Sequence, residues 1–303
     1  RALQIAAAGG HNLIMTGPPG AGKTMLAQRL VTIMPPLTES EALESALAYS
    51  VKGLEYADLI ACRRPFRAPH HASTAVGLLG GGQPVKPGEI SLAHNGVLFL
   101  DEMPEFASTV LQQLRQPLES GYISLARAGG NYRFPARFLL LAAANPCPCG
   151  YLGDPQRRCR CSEVQIERYR NRIGGPLMDR FDLAVDIQRS DPHEVLESGK
   201  GTSSAALAEE VACACAFRSW RLRPRTDDER VAGEELLLEQ ARLTDATRHS
   251  FERLARSFSL SGRGIMRTLS VSRTIADMRE SEQVDEEDIL EALMYRRQDT
   301  SGE

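Results

Sequence analysis

The run Gly17-Pro18-Pro19-Gly20-Ala21-Gly22-Lys23-Thr24 constrains this chain more than any other segment. It fits G-x-x-x-x-G-K-[ST]. The apolar run Asn12–Met15 enters it as a strand would, and Met25–Leu30 leaves it as a helix would. Glycines in such a loop let backbone N–H groups close around phosphate oxygens, and the helix N-terminus adds a favourable dipole. Lys23 is expected to reach the β- and γ-phosphates and Thr24 to hold Mg²⁺, with Met25 beginning the helix at the ligand. The alternative, a glycine-rich turn with a chance lysine, does not explain strand, loop and helix in that order.

The remaining composition sets bounds. At 303 residues the prior is one large domain or two. Hydrophobic content of 42% and charged content of 25% suit a globular chain with a sizeable core. No apolar stretch is long enough to span a bilayer, so no membrane partner is expected. The chain opens at Arg1 with no signal-peptide pattern, so it reads as a piece of a longer, cytoplasmic protein. A net charge of −3 argues neither for nor against nucleic acid. Seven cysteines then suggest thiols or a metal site rather than a disulfide framework.

Apolar runs alternate with helix-like segments through residue 187, which predicts an α/β domain with a parallel sheet over 1–187. The clearest strand cores are Leu13–Met15, Val97–Leu100 and Phe138–Ala144, and Leu183–Ile187 closes the set. Residues 188–204 read as a linker. Helical patterns at Ala205–Trp220, Asp245–Ser257, Arg263–Arg279 and Asp285–Arg296 predict a small all-helical second domain over 205–303.

Three further motifs carry chemistry. Val97–Leu100 delivers Asp101-Glu102 at a strand end. About eighty residues after a P-loop, that pattern reads as a Walker B site, with Asp101 holding Mg²⁺ and Glu102 orienting the attacking water. Phe138–Ala144 ends in Asn145, whose amide can bond both the γ-phosphate and the water. Taken alone, Asn145 reads as the start of an Asn-Pro turn with Pro146, and only its company favours the catalytic reading. Arg180 stands between a loop and a strand, where an arginine finger would act on a neighbouring subunit's nucleotide. The plainer reading pairs Arg180 with Asp179 or Asp182.

In this order, with a helical lid behind them, the motifs resemble an AAA+ ATPase. The segments Cys62–His71 and Pro87–His94 resemble the helix-2 insert of the magnesium-chelatase-like branch. Gly121–Gly129 resembles a hairpin shared with MCM helicases. Asn145-Pro146-Cys147-Pro148-Cys149-Gly150 is the most particular string and resembles the YifB/ComM family. The resemblance implies ATP and Mg²⁺ as cofactors, bound between the α/β domain and the lid. It implies a ring, hexameric by analogy, and movement on single-stranded or branched DNA, with branch migration as the specific activity. A sensor-2 arginine is also implied, for which Arg263 is the first choice and Arg267 the alternate. The rival from another class is a protein-remodelling or chelatase-type motor without a DNA substrate.

Cys147-x-Cys149 and Cys159-x-Cys161 flank a loop rich in Gly, Asp and Pro. Four thiols in two pairs suit a structural Cys₄ zinc site, the alternative being reduced thiols in a surface loop. His70-His71 reads as part of a basic loop. Residues 121–180 hold ten arginines against four acidic residues. Arg127 and Arg133, flanking a hairpin tip at 126–131, are the expected DNA-backbone contacts. A solvated or intersubunit face accounts for the same charge.

Overall fold

The computed structural model of the chain describes residues 1–127, 130–189, 201–223 and 234–296. Its centre is a five-stranded parallel sheet. With strands numbered along the chain, the order is β2 (Phe66–Arg67), β5 (Val97–Leu100), β8 (Leu139–Ala144), β1 (Leu13–Thr16) and β9 (Leu183–Asp186). Helices cover both faces, so the strands are continuous apolar runs, and all six residues of β8 are buried. Side chains still alternate between faces. Leu13, Met15, Phe99 and Leu141 enter a core with Ile5 and Leu30. Ile14, Leu98, Leu100 and Leu140 enter a second core with Leu111 and Ile123.

Asn12 fastens three of these strands at their N-terminal ends. Its Oδ1 accepts from the Leu140 N–H at 2.8 Å, and its Nδ2 donates to the Arg180 carbonyl at 2.9 Å. Its own N–H donates to Asp182 Oδ2 at 2.9 Å. Removing the amide would leave the Leu140 N–H unpaired, at a cost of about 1–3 kcal/mol.

Two antiparallel pairs stand outside the sheet: β3 (Gly80–Gly81) with β4 (Lys86–Pro87), and β6 (Tyr122–Arg127) with β7 (Gly130–Pro135). The second is the expected hairpin, with strands running closer to its turn than the sequence pattern suggests. Residues 128–129 of the expected tip lie outside the described residues. Helix Glu39–Lys52 was not expected, although Thr38-x-x-Glu41 is a capping-box signature. Thr38 Oγ1 accepts from the Glu41 N–H at 3.2 Å, and Glu41 Oε2 accepts from the Thr38 N–H at 2.9 Å. The helix ends at Gly53, whose φ of 83° suits glycine.

The C-terminal region is helical, at Ser204–Arg221, Glu234–Ala241, Asp245–Ser257, Gly262–Met278 and Glu286–Met294. Four of these match the expected segments closely, and Glu234–Ala241 is additional. Phe251, Leu269, Val284 and Ile289 form a core of their own. Val211, Ala214, Val271 and Ile275, however, are buried in the same core as Ile5 and Leu30. Residues 190–200 of the expected linker lie outside the described residues. The C-terminal helices thus keep one core to themselves and share another, because one face of two of these helices is apolar and seats on the sheet's helices.

Polar contacts reinforce this union at His11 and knit the C-terminal helices to one another. Buried His11 Nε2 lies 2.8 Å from Thr274 Oγ1, and burial lowers the imidazole's pKa. Arg221 Nε and Nη2 each donate to Asp277 at 2.9 Å, and Arg273 Nη2 donates to the same carboxylate at 3.0 Å. All three side chains are nearly inaccessible, so truncating one would strand buried charge at about 3–5 kcal/mol.

Candidate nucleotide-binding site

The loop Gly17–Gly22 leaves the C-terminal end of β1 and turns into helix Lys23–Ile33. Its glycines answer to space and torsion. A Cβ on Gly17 would lie 2.2 Å from the Ile187 carbonyl oxygen, and Gly20 and Gly22 have φ of 79° and 83°. Pro18, Pro19 and Ala21 complete the turn. Lys23 Nζ donates to the Gly17 carbonyl at 2.6 Å, to that of Pro18 at 2.9 Å and to Asn145 Oδ1 at 3.2 Å. Burial lowers its pKa, against the opposing pull of Asp101 and Glu102. Met25 follows with 57% exposure.

Parallel β5 and β8 bring two more motifs to the same end of the sheet. Thr24 Oγ1 donates to Asp101 Oδ2 at 2.8 Å. These are hard oxygen donors side by side, a set that fits Mg²⁺. Glu102 follows with a left-handed φ of 50° and a half-exposed side chain. His71 Nδ1 lies 3.6 Å from Glu102 Oε2, and its ring meets Phe106 edge-on. The sequence reading placed His71 in a basic loop and missed this contact, because the two residues are thirty-one positions apart in sequence. Asn145 ends β8 beside Lys23. A cavity of about 760 Å³ lies against the Gly17–Pro18 side of the loop, lined also by Asn145, Asp154, Ile187 and Tyr295. Its volume is that of a small-molecule pocket, roughly 300–1,000 Å³.

Arg180 and Arg263 lie elsewhere. Arg180 precedes β9 at the N-terminal end of the sheet, and its carbonyl is held by Asn12. Four residues of β1, about 13 Å at ~3.3 Å each, separate that end from the P-loop. Arg180 is 4% exposed and pairs with Glu119, neither Asp179 nor Asp182. Its Nε and Nη1 have no hydrogen-bond partner. Burial, followed by repulsion from Arg263, Arg267 and Arg115, lowers its pKa. Arg263 Nη2 lies 3.8 Å from the same Glu119, and Arg267 Nη1 lies 3.2 Å from Asp182 Oδ1. The structure therefore groups Arg263 with Arg180 and away from the P-loop of its own chain.

The hairpin exposes both expected arginines. Arg133 stacks on Tyr122, 3.6 Å from the ring centroid. Arg127 extends toward Gly81 of the insert.

The four cysteines converge. Cys147, Cys149 and Cys159 Sγ atoms are 3.4, 3.7 and 3.6 Å apart, and Cys161 joins them within 4.8 Å. Tetrahedral coordination at ~2.3 Å from sulfur requires S···S separations of about 3.8 Å, so the donor set fits a single divalent metal. Backbone N–H groups of Arg160 and Tyr151 hold the Cys149 thiol down at about 6. The Cys161 N–H donates to Cys159 Sγ at 3.4 Å. Cys215 instead packs its sulfur on the Ala8 carbonyl, 3.7 Å away.

A P-loop, an Asp-Glu strand end and a polar strand end on a β2-β5-β8-β1-β9 parallel sheet, with a helical C-terminal region, define an AAA+-type nucleotide-binding fold. Within that class the chain belongs to the magnesium chelatase subunit ChlI family. Residues 1–195 match the family's main model and residues 201–296 match its C-terminal one. The chain is 44% identical over 298 residues to an uncharacterized protein YifB of Salmonella typhimurium, covering 98% of this chain and 58% of that one. It is 44% identical over 297 residues to the competence protein ComM of Haemophilus influenzae, covering 98% and 57%. A DNA replication licensing factor, mcm6 of Dictyostelium discoideum, is 27% identical over 175 residues, covering 58% of this chain and 17% of that one. The chain thus spans under three fifths of the length of the first two relatives.

Proposed function

We propose that this chain is the ATP-hydrolysing module of a ring-forming motor that moves on DNA. The convergence of Lys23, Thr24, Asp101, Glu102 and Asn145 at one end of the sheet carries the reading. Gly17–Lys23 cradle the phosphates, with Met25 at the rim. Thr24 and Asp101 hold Mg²⁺, Glu102 orients the attacking water, and Lys23 and Asn145 face the γ-phosphate. Arg180 and Arg263, too far from their own P-loop, serve the nucleotide of a neighbouring copy. The two unpartnered N–H groups of Arg180 support this, because a buried donor costs free energy until it meets an acceptor. Leu43, Leu47 and Val51 add an exposed apolar stripe at helical spacing, a surface suited to burial between copies. A ring is the closed form of such head-to-tail contacts, a hexamer by family analogy.

The DNA assignment rests on the hairpin, with Arg127 and Arg133 exposed on it, and on similarity to a competence protein and a DNA replication licensing factor. Contacts to phosphates predict weak sequence preference and affinity that falls steeply with salt. The test is ATP turnover with and without single-stranded and forked DNA. Wild-type protein is expected to respond to DNA, and Arg127→Ala is expected to lose that response. A chelatase-type or remodelling motor, the reading suggested by the family's name, predicts no response to DNA and stimulation by a protein partner. Wild-type protein with neither DNA binding at low salt nor DNA-stimulated turnover would favour that second reading.

For the cysteine cluster the metal we infer is zinc, given four thiolate donors at tetrahedral spacing. Freshly purified protein is expected to carry about one zinc per chain by elemental analysis. A Cys149→Ser/Cys161→Ser variant is expected to lose it and to become protease-sensitive between Pro146 and Arg172.

A further inference from the structure

The cysteine loop is built against the P-loop. Cys147 follows Asn145 by only two residues. Gly150, with φ of 83°, packs its backbone on the P-loop. A Cβ there would lie 2.7 Å from Pro19 Cδ and 3.9 Å from Asn145 Cγ. Any other residue at this position would push the two loops apart. Farther along, residues 152–155 line the 760 Å³ cavity opposite Gly17 and Pro18. The loop is thus one wall of a cavity that Gly17 and Pro18 close on another side and that lies beside, rather than over, Lys23 and Thr24.

The wall is also tied at its far side. The Asp154 side chain is fully buried. Its Oδ1 accepts from the N–H groups of Gln156 at 2.8 Å and Arg157 at 3.1 Å, and its Oδ2 faces Arg189 Nε at 3.2 Å. Arg189 lies just past β9, so this pair joins the loop to the sheet's edge strand. Tyr151 receives a hydrogen bond from Arg157 Nη1 at 2.9 Å, and its ring faces the Arg157 and Arg189 guanidinium groups at 5.2 and 5.7 Å.

Little else holds this segment. Between Cys147 and Cys161 there is no helix or strand, and besides the Asp154 side chain only Cys147 and Gly150 are buried. Ordering some fifteen residues of backbone costs roughly 1–2 kcal/mol each, far more than two small buried residues return. A metal bound at both feet of the loop supplies the missing constraint, since binding free energy at such a site is folding free energy.

We propose that a zinc ion held by Cys147, Cys149, Cys159 and Cys161 fixes the loop that packs on Pro19 of the P-loop and beside Asn145, so that nucleotide affinity depends on metal occupancy. The inference rests on the nucleotide reading of the P-loop. It makes the cluster a positioning element for ligand binding rather than a distant structural knob. Loss of the metal, or oxidation of its thiolates, frees the wall and with it Gly150's support of Pro19.

The test is titration of the intact protein with a fluorescent, non-hydrolysable ATP analogue in three states. These are zinc-loaded, stripped with a mercurial reagent and chelator, and reloaded with zinc. Stripping is expected to weaken binding by ~10-fold or more, and reloading to restore it. Asp154→Ala, which removes the tie to Arg189 and leaves all four ligands, is expected to keep its zinc and its melting behaviour yet bind the analogue several-fold more weakly. That variant keeps the proposal testable should stripping unfold the chain. Equal affinity in loaded and stripped protein, or wild-type affinity in Asp154→Ala, overturns the proposal while leaving the nucleotide site intact. Protein purified without zinc and binding the analogue tightly does the same. Zinc-loaded protein that binds no analogue overturns the proposal together with the nucleotide reading on which it rests.

Discussion

Glu102→Gln is expected to bind ATP as tightly as the wild type and to hydrolyse it ~10²–10⁴-fold more slowly, the range spanned by a positioned general base. The substitution keeps the shape of the side chain and its left-handed backbone at φ of 50°. It leaves the Thr24–Asp101 contact and the Lys23 bonds untouched. Only the carboxylate that would draw a proton from water is lost. Lys23→Ala is expected to behave differently and weaken binding itself, because its ammonium lies among the loop carbonyls and beside Asn145. Analogue titration beside single-turnover hydrolysis separates the two effects. Near-normal turnover in Glu102→Gln would remove Glu102 from the water-activating position.

Arg180→Ala is expected to cut turnover by ~10³ or more, the scale of arginine fingers, while leaving each chain's own ATP binding intact. The reason is positional. Arg180 stands at the start of β9, with the length of β1 between it and its own P-loop. In a ring its guanidinium would have to leave Glu119 and meet the phosphates of the next copy. Mixing Arg180→Ala with Glu102→Gln protein supplies the decisive measurement. Some sites in the mixed ring combine an intact Glu102 from one chain with an intact Arg180 from another, so part of the activity should return. A monomer with full turnover at working concentration would end the shared-site account.

What was legible in the sequence was mostly local. The P-loop depends on six neighbouring positions with fixed torsions, so its pattern survives in one dimension. The strand ends at Asp101 and Asn145 were legible because a parallel sheet buried on both faces writes its strands as apolar runs. The four expected C-terminal helices were legible within a residue or two from their helical pattern, and the structure shows Ser, Thr or Asp at the N-cap of each. The missed features depend on contacts across long stretches of chain. Glu119 meets Arg180 sixty-one residues away, and the same carboxylate attracts Arg263 from the lid. Nothing near Arg263 in the sequence distinguishes an arginine facing its own nucleotide from one grouped with Arg180. The choice of Arg263 over Arg267 rested on position alone, on a helix that also carries Arg273. The structure separates them by partner: Glu119, Asp182 and buried Asp277. Likewise the Ser204–Arg221 pattern announces an amphipathic helix without saying which core receives its apolar face.

That last point bears on how such a chain could do mechanical work. Val211 and Val271 are packed into the same interior as Ile5 and Leu30, and His11 is fastened to Thr274. Among the described residues, then, the C-terminal helices are joined to the α/β half by a shared apolar interior as well as to one another. If the proposed ring forms, such a union would let each copy act as a stiff wedge. Strain released by hydrolysis would open and close the gaps between wedges, and the hairpins would travel as far as those gaps allow. Step length would be set by the angle between neighbours and not by any bending within one of them.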